Sequence, residues 1–246
     1  MAGIETSSSA GETALLQAYY RAWSARWIDT RCLREVLGRA SDVLWIGSYF
    51  SLAEPWAHAS SWTIADLDSD MLALGRRALP HAGAIRADVR QLPFDGTFDA
   101  VIALGAVTAY LLDDESVERA AVSLARSLAN AGHARVLIDA YDAASIHSTT
   151  YFSGEDTWSS ESERWTRQAT VEPIAGQDDG VFMASLTVSR ETAQRKQSAH
   201  FRFIQRAFSR ERLALSMTKH GLRLLGSESD PAHGRLYQVY APASSR

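Results

Sequence analysis

Between residues 42 and 141, short apolar runs ending in glycine or aspartate alternate with stretches whose apolar residues fall at helical spacing. That rhythm constrains the fold more than any other feature of the chain. Asp42-Val43-Leu44-Trp45-Ile46-Gly47 has the look of a buried parallel strand. Ser61 to Asp66, Ala84 to Asp88, Phe98 to Gly105 and Arg135 to Tyr141 repeat the pattern. Met71 to Ala78, stopped by Pro80, reads as a helix. So does Ser116 to Leu128, with Val117, Ala121, Leu124 and Leu128 on one side. Strands alternating with helices imply an α/β fold, a doubly wound and mostly parallel sheet covered on both faces.

The flanks differ. Residues 12–38 carry Leu15, Leu16, Tyr19, Tyr20, Trp23, Trp27, Leu33, Val36 and Leu37 at helical spacing, as one long helix or two short ones ending at Gly38. Residues 146–208 are polar and break the rhythm. Within them, Phe182 to Val188 and His200 to Ile204 are strand-like, behind the turn signal Gln177-Asp178-Asp179-Gly180. Ser209 caps a helix that Gly221 ends, and Leu222 to Ser227 pairs with Leu236 to Ala241 around a turn at 230–234. The expected organisation is an N-terminal helical lid (1–40), an α/β core (41–145), a small antiparallel insertion acting as a substrate cap (146–208), and a C-terminal helix and antiparallel strand pair completing the core (209–246).

Composition narrows the function classes. The net charge is −4, from 25 basic and 29 acidic residues, and a nucleic-acid binder should instead show a basic face. The lone Cys32 excludes an internal disulfide and a Cys-based zinc site, and no metal-spaced His/Cys cluster is present. No apolar run approaches the roughly 18 residues of a membrane span, and residues 1–13 show no apolar signal core. The expectation is a cytoplasmic protein whose partner is a small-molecule substrate, free or carrier-bound, with a partner subunit or a homodimer as further options.

Residues 43–141 resemble the class I S-adenosylmethionine (SAM) dependent methyltransferases, a Rossmann-like family. Ala65-Asp66-Leu67-Asp68-Ser69-Asp70-Met71-Leu72 is similar to the family's second-strand motif. Ala87 to Phe94, followed by Phe98-Asp99-Ala100-Val101, is similar to its third and fourth motifs. Leu128 to Gly132 resembles the turn before its fifth strand, and Phe208-Ser209 to Gly221 its late helix. The resemblance implies that Asp66 holds the ribose hydroxyls, that Asp88 meets the adenine amino group, and that Val89 packs on the ring. An acceptor-only carboxylate at the end of a second strand can take two O–H donors. Read without the resemblance, both carboxylates cap the turns that follow their strands.

The first motif departs from the family. Trp45 stands where the family has an acid, Gly47 is kept, and Tyr49 and Ser51 stand at the other two glycine positions. Glycines there permit positive φ and let backbone approach a ligand. A lost charge-assisted hydrogen bond is worth roughly 1.5–3 kcal/mol, and the tyrosine ring adds bulk. The expectation is therefore a closed or reshaped cofactor pocket and no cofactor.

The cleft of an open α/β sheet lies beyond the carboxyl ends of its strands. Residues expected there are Tyr49, Phe50, Thr108, Tyr110, Asp139, Tyr141, Asp142 and His147, with Tyr19, Tyr20 and Trp23 supplied by the N-terminal lid. Asp142 and His147 are the candidate general bases, with Asp139 and Tyr110 beside them as catalytic candidates. The bland reading has Asp142 capping a turn and His147 solvated. Arg202 and Arg206 are candidates for meeting an anionic substrate. The primary functional expectation is a methyltransferase-fold enzyme repurposed for a SAM-independent step on a secondary metabolite, such as cyclisation, intramolecular displacement or elimination. Two alternatives stay open: a genuine SAM-dependent small-molecule N- or O-methyltransferase that binds the cofactor through Gly47, Asp66, Asp88 and Val89, and a non-catalytic scaffold for a partner enzyme.

Overall fold

A computed structural model describes residues 10–23, 28–56, 61–149, 151–160, 162–174, 176 and 180–243. Trp27 and the turn residues 177–179 lie outside that set. Two helices begin the described chain, α1 (Ala10–Ala22) and α2 (Thr30–Leu37), so the 12–38 stretch is two helices and not one. The Asp29 side chain accepts the Arg31 N–H and caps α2. The core follows as β1 (Asp42–Ile46), β2 (Ser61–Asp66), α3 (Ser69–Ala78), β3 (Gly83–Arg86), β4 (Ala100–Ala103), α4 (Asp114–Ser127) and β5 (Arg135–Asp142). The polar stretch is a four-stranded meander, β6 (Gly154–Ser160), β7 (Glu163–Pro173), β8 (Val181–Glu191) and β9 (Lys196–Phe208). Helix α5 (Arg210–Lys219) and the hairpin β10 (Leu222–Asp230) and β11 (Arg235–Pro242) complete the chain.

The parallel strands run in the order β3-β2-β1-β4-β5, with β11 antiparallel on the far side of β5. Strand β4 pairs with β5 only as far as Ile138, whereas β9 pairs with β5 at Tyr141 and Asp142. Strand β11 already occupies the other edge of Tyr141 through Arg235. Strand β9 therefore takes over the β4 side of β5 once β4 has ended. The meander is thus carried above the carboxyl ends of the parallel strands, where ligands bind in such sheets.

Side-chain alternation sorts the two faces of the sheet. Leu44, Ile46, Val101, Ala103, Val136 and Ile138 pack with α4 and α5 through Val117, Leu124, Leu213 and Met217. Val43, Trp45, Ile102 and Leu137 face the other way, against Leu33, Val36 and Leu37 of α2 and Leu72 of α3. A third cluster joins Leu15, Leu16, Tyr19 and Trp23 of α1 to Trp165, Phe182, Ala184 and Phe201 of the meander. Helix α1 also reaches the core, with Gln17 Nε2 2.8 Å from Met71 Sδ and Arg21 paired with Glu54.

Two buried features stand out in the sheet. The first is Trp45, whose ring is fully buried and 6.1 Å from that of Trp62. Its indole lies under α2, not in the crevice above the sheet, because position 45 faces the opposite layer from Leu44 and Ile46. The second is an ion pair between Arg235 Nη1 and Asp139 Oδ2 at 2.6 Å, with both side chains fully enclosed. The other Asp139 oxygen accepts the Ala106 N–H at 2.9 Å, and Ala106 adopts a left-handed conformation (φ 58°) to present it. Burial pushes the Asp139 carboxyl above the ordinary carboxylate range, while Arg235 and the N–H groups of Ala106 and Gly105 oppose the rise. Burial works against the charge on Arg235, but Tyr151, Tyr141, Tyr49 and Asp139 together hold it well above its ordinary range.

Truncating Trp45 to alanine should cost about 3–5 kcal/mol in urea unfolding. Trp45→Phe should cost much less, because the buried Nε1–H it removes has no partner among the described residues. Asp139→Asn strands the Arg235 charge and should destabilise by about 3–5 kcal/mol. The double change Asp139→Leu with Arg235→Met should recover most of that loss in the same assay.

Candidate active site

The strand order reverses between β1 and β4, and the crevice at their carboxyl ends is the ligand site of an open α/β sheet. Gly47 ends β1 at φ 97°, where a Cβ would lie 2.3 Å from the Leu104 carbonyl oxygen, so glycine is required. Gly105 follows β4 at φ 91°. A Cβ built on it would lie 3.0 Å from the Tyr49 ring, which fills the space above this turn.

Asp66 and Asp88 stand on the β2 and β3 side of the crevice. The Asp66 carboxylate accepts the Asp68 N–H at 2.9 Å. Burial pushes its carboxyl up to about 6, against the backbone donors of Asp68 and Leu67. Leu67 beside it is 54% exposed, an apolar surface with nothing over it in the described chain. Asp88 accepts the Arg90 N–H at 2.9 Å and holds the Arg90 guanidinium at 3.0 and 2.5 Å, which keeps its carboxyl below the usual range. Val89, half-buried, packs at the edge of the core. A carboxylate has about four lone-pair sites, so Asp88 retains capacity for a further donor. Of the two caps expected from the residues alone, Asp88 caps the 3-10 turn Val89–Gln91, whereas α3 is capped by Asp68 and Asp66 accepts the Asp68 N–H in the turn before it.

Beyond Gly105 the crevice opens into a pocket walled by Tyr19, Tyr20, Tyr49, Tyr110, Tyr141 and Tyr151, with Phe152, Arg167, Ser185, Phe203 and Gln205. Its free volume is about 40 Å³, room for about three waters and not for a sugar ring. Tyr49 meets Tyr20 edge to face at 5.2 Å, and Tyr141 meets Phe152 the same way at 4.7 Å. Arg235 Nη2 donates to the Tyr151 hydroxyl at 2.9 Å and the Tyr49 hydroxyl at 3.3 Å, and the guanidinium lies 4.8 Å from the centre of the Tyr141 ring. Arg167, also buried, lies 4.2 Å from the Trp23 ring and donates to Asp156 and the Tyr151 carbonyl. Tyr110, 38% exposed, stands at the mouth. Burial of its phenol, offset by a hydrogen bond with Gln205 and assisted by Asp66, pushes it up to about 12. Tyr20, Tyr49 and Tyr141 are held higher still, chiefly by burial.

The structure thus brings Tyr20, Tyr49, Tyr110 and Tyr141 to one pocket, with Trp23 behind Arg167. It does not bring Asp142 or His147 there. The Asp142 carboxylate accepts the Ala144 N–H at 3.1 Å in a turn, and His147 is exposed with its ring 6.4 Å from Phe182. Asp139 is committed to Arg235. None of these three lines the tyrosine pocket. Arg202 is exposed on the outer face of β9, and Arg206 is buried on Asp114 at 2.8 Å. Arg235, Arg167, Tyr151 and Gln205 escaped the sequence reading. The one available signal was an arginine at an inward position of an otherwise apolar strand. Among the described residues no acidic, His or Cys group is placed to hold a metal, and no helix is long and apolar enough to cross a membrane.

Comparison with known proteins corrects the cofactor expectation. The methyltransferase-domain family matches residues 47–132, which include the loop at Tyr49 and Ser51. No curated protein matches the sequence. Among solved structures, DesVI of Streptomyces venezuelae superposes with a TM-score of 0.72 at 18% identity, covering 95% of this chain and 97% of its own. SAM-bound CalS10, an amino pentose methyltransferase from Micromonospora echinaspora, gives 0.70 at 18% over 91% and 95%. The sugar N-methyltransferase KedS8 from Streptoalloteichus sp. gives 0.66 at 20% over 91% and 92%. These findings overturn the expectation of a SAM-independent step and of a chain without a cofactor. The steric case for them also weakens, because Trp45 is in the opposite layer of the core. Residues 47–132 match a methyltransferase domain, and the chain has the Rossmann-like fold of the class I SAM-dependent methyltransferases.

Proposed function

We propose that the protein is a SAM-dependent N-methyltransferase acting on the amine of a small molecule, an amino sugar in a natural-product pathway. One observation carries the choice of nitrogen over oxygen. Among its described lining residues the tyrosine pocket has no histidine and no carboxylate. Methylating a hydroxyl requires a base to remove its proton as the bond forms. An amine needs only to arrive neutral, with its lone pair free. The phenols stay protonated across the working range and can accept an amine N–H. The neighbouring guanidinium groups of Arg167 and Arg235 disfavour a protonated ammonium. DesVI, CalS10 and KedS8 support the substrate class, two of them being described as sugar or amino pentose methyltransferases.

The nucleoside end of SAM suits the residues at the β2 and β3 ends. Asp66 offers a carboxylate for two hydroxyls, Leu67 an uncovered apolar surface, and Asp88 an acceptor for an exocyclic amine. When bound, SAM supplies an electrophilic methyl group. The chain's part is to hold the amine within the tyrosine walls and to keep water from it.

Incubation with labelled SAM and a panel of amino sugars should give N-methyl product, at a rate that rises with pH until the acceptor amine is neutral. Label appearing only in O-methyl product, or no transfer and no binding of SAM or its demethylated product, overturns the proposal. Asp66 gives a second check. Its carboxyl is about 6 in the folded chain against an ordinary 3.8. Between these values the folded protein retains a proton that the unfolded chain has lost. The group's contribution to stability is therefore lost as pH rises through about 6. Hydroxyl binding needs the ionised form, so nucleoside affinity should fall below pH 6 by up to about tenfold per unit. Asp66→Asn should bind more weakly and without that pH dependence, as read by calorimetry.

A further inference from the structure

We propose that Tyr110 holds the acceptor nitrogen, its phenol oxygen accepting an N–H of the amine at the mouth of the pocket, and that Gln205 is the positioning residue behind it. The inference rests on the methyltransferase reading and names the group that meets the substrate. The free volume of about 40 Å³ takes an amino group but no ring, so the body of the acceptor stays at the mouth. Tyr110 lines that mouth, with 38% of its surface exposed.

Two parts of the fold fix its place. Tyr110 ends the 3-10 turn Val107–Tyr110, which Ala106 precedes. Strand β5 pins this turn twice through one residue. The Asp139 carboxylate accepts the Ala106 N–H at 2.9 Å, and the Asp139 carbonyl accepts the Thr108 hydroxyl at 2.5 Å. Leu111, directly after Tyr110, is buried in the core, and its N–H donates to the Thr108 carbonyl at 3.0 Å. Gln205 of β9 approaches from the meander, 4% exposed and hydrogen-bonded to the phenol. That bond favours the phenolate, as an amide N–H donated to the oxygen does. The oxygen can accept a second N–H from a substrate and leave the amine's lone pair untouched.

Charge singles Tyr110 out among the phenols. As the C–N bond forms and the S–CH3 bond breaks, positive charge passes from sulfur to nitrogen, and the surplus proton then leaves to solvent. The hydroxyls of Tyr49 and Tyr151 accept from the Arg235 guanidinium, and Tyr19 is hydrogen-bonded to Arg167. A nitrogen gaining positive charge is repelled there. Tyr110 answers instead to an amide and to Asp66, whose carboxylate is close enough to push the phenol up. The same carboxylate favours the charge that builds on a nitrogen held at that oxygen.

Equilibrium binding with S-adenosylhomocysteine present tests the assignment without turnover. The probes are the amino-sugar methyl glycoside that the wild type methylates fastest and its N,N-dimethyl analogue, both at a pH above their own pKa values. The dimethylamino nitrogen has no N–H to give. Calorimetry should show Tyr110→Phe weakening the primary amine about tenfold and the dimethyl analogue less than about threefold. Gln205→Met keeps the length and loses the amide, and should weaken the primary amine about threefold while sparing the analogue. S-adenosylhomocysteine affinity should stay within about twofold in both variants. Equal weakening of both probes, a matching loss of S-adenosylhomocysteine affinity, or an unchanged primary amine overturns the assignment and leaves the methyltransferase reading standing. Absence of N-methyl transfer to every amino sugar by the wild type overturns that reading, and the assignment with it.

Discussion

A fully buried charge pair organises the crevice. Arg235 and Asp139 sit where β11 and β5 run side by side, and neither charge would survive there without the other. Their remaining hydrogen-bonding capacity shapes the surroundings. Asp139 draws the Ala106 N–H toward it, and that residue accepts a left-handed conformation to comply. The Gly105–Ala106 turn is thereby placed under the Tyr49 ring. On the other side Arg235 gathers the hydroxyls of Tyr49 and Tyr151 and the face of Tyr141. The floor of the pocket is thus positioned by electrostatics before any ligand arrives.

The walls come from parts of the chain far apart in sequence. Helix α1 lies across the seam, touching the core through Gln17 and Arg21 and the meander through Tyr19 and Trp23. Arg167 of β7 is stacked on Trp23 and bonded to the Tyr151 carbonyl, which ties α1 to the meander. The pocket is lined jointly by α1, the meander and the core. Its small free volume follows from the same packing. The wall is mostly aromatic.

Much of this fold could be read from the chain. The five parallel strands and the helices between them appear within a few residues of their expected bounds, because buried strands announce themselves as apolar runs. Strands β6 and β7 did not. Gly154 to Ser160 has only Trp158 as a large apolar residue, and β7 buries Arg167 at an inward position between Trp165 and Ala169. A charged residue there hides the two-residue alternation. The candidate site was legible where a family motif marked it, at Asp66 and Asp88, and where aromatic residues followed a strand, at Tyr49, Tyr110 and Tyr141. Arg235 was not legible, because its partners Tyr151 and Asp139 are 84 and 96 residues away in the chain. No local pattern records such pairings.

The first motif shows why bulk in a sequence is a poor measure of room in a structure. Positions 45, 47 and 49 of that motif, two departures and one retained glycine, are physically unlike one another. Trp45 faces away from the crevice, since strand alternation sends it under α2. Position 47 tolerates nothing but glycine, because its φ is 97° and its Cβ direction is blocked by the Leu104 carbonyl. Position 49 has φ −83°, so the backbone itself makes no demand for glycine there. A residue that replaces glycine under those conditions adds a side chain and no backbone strain, and a side chain can rotate. The glycine that fixes the path of the loop is the one this chain retains. The tyrosine beside it changes what fills the space above that path, leaving the path as it was.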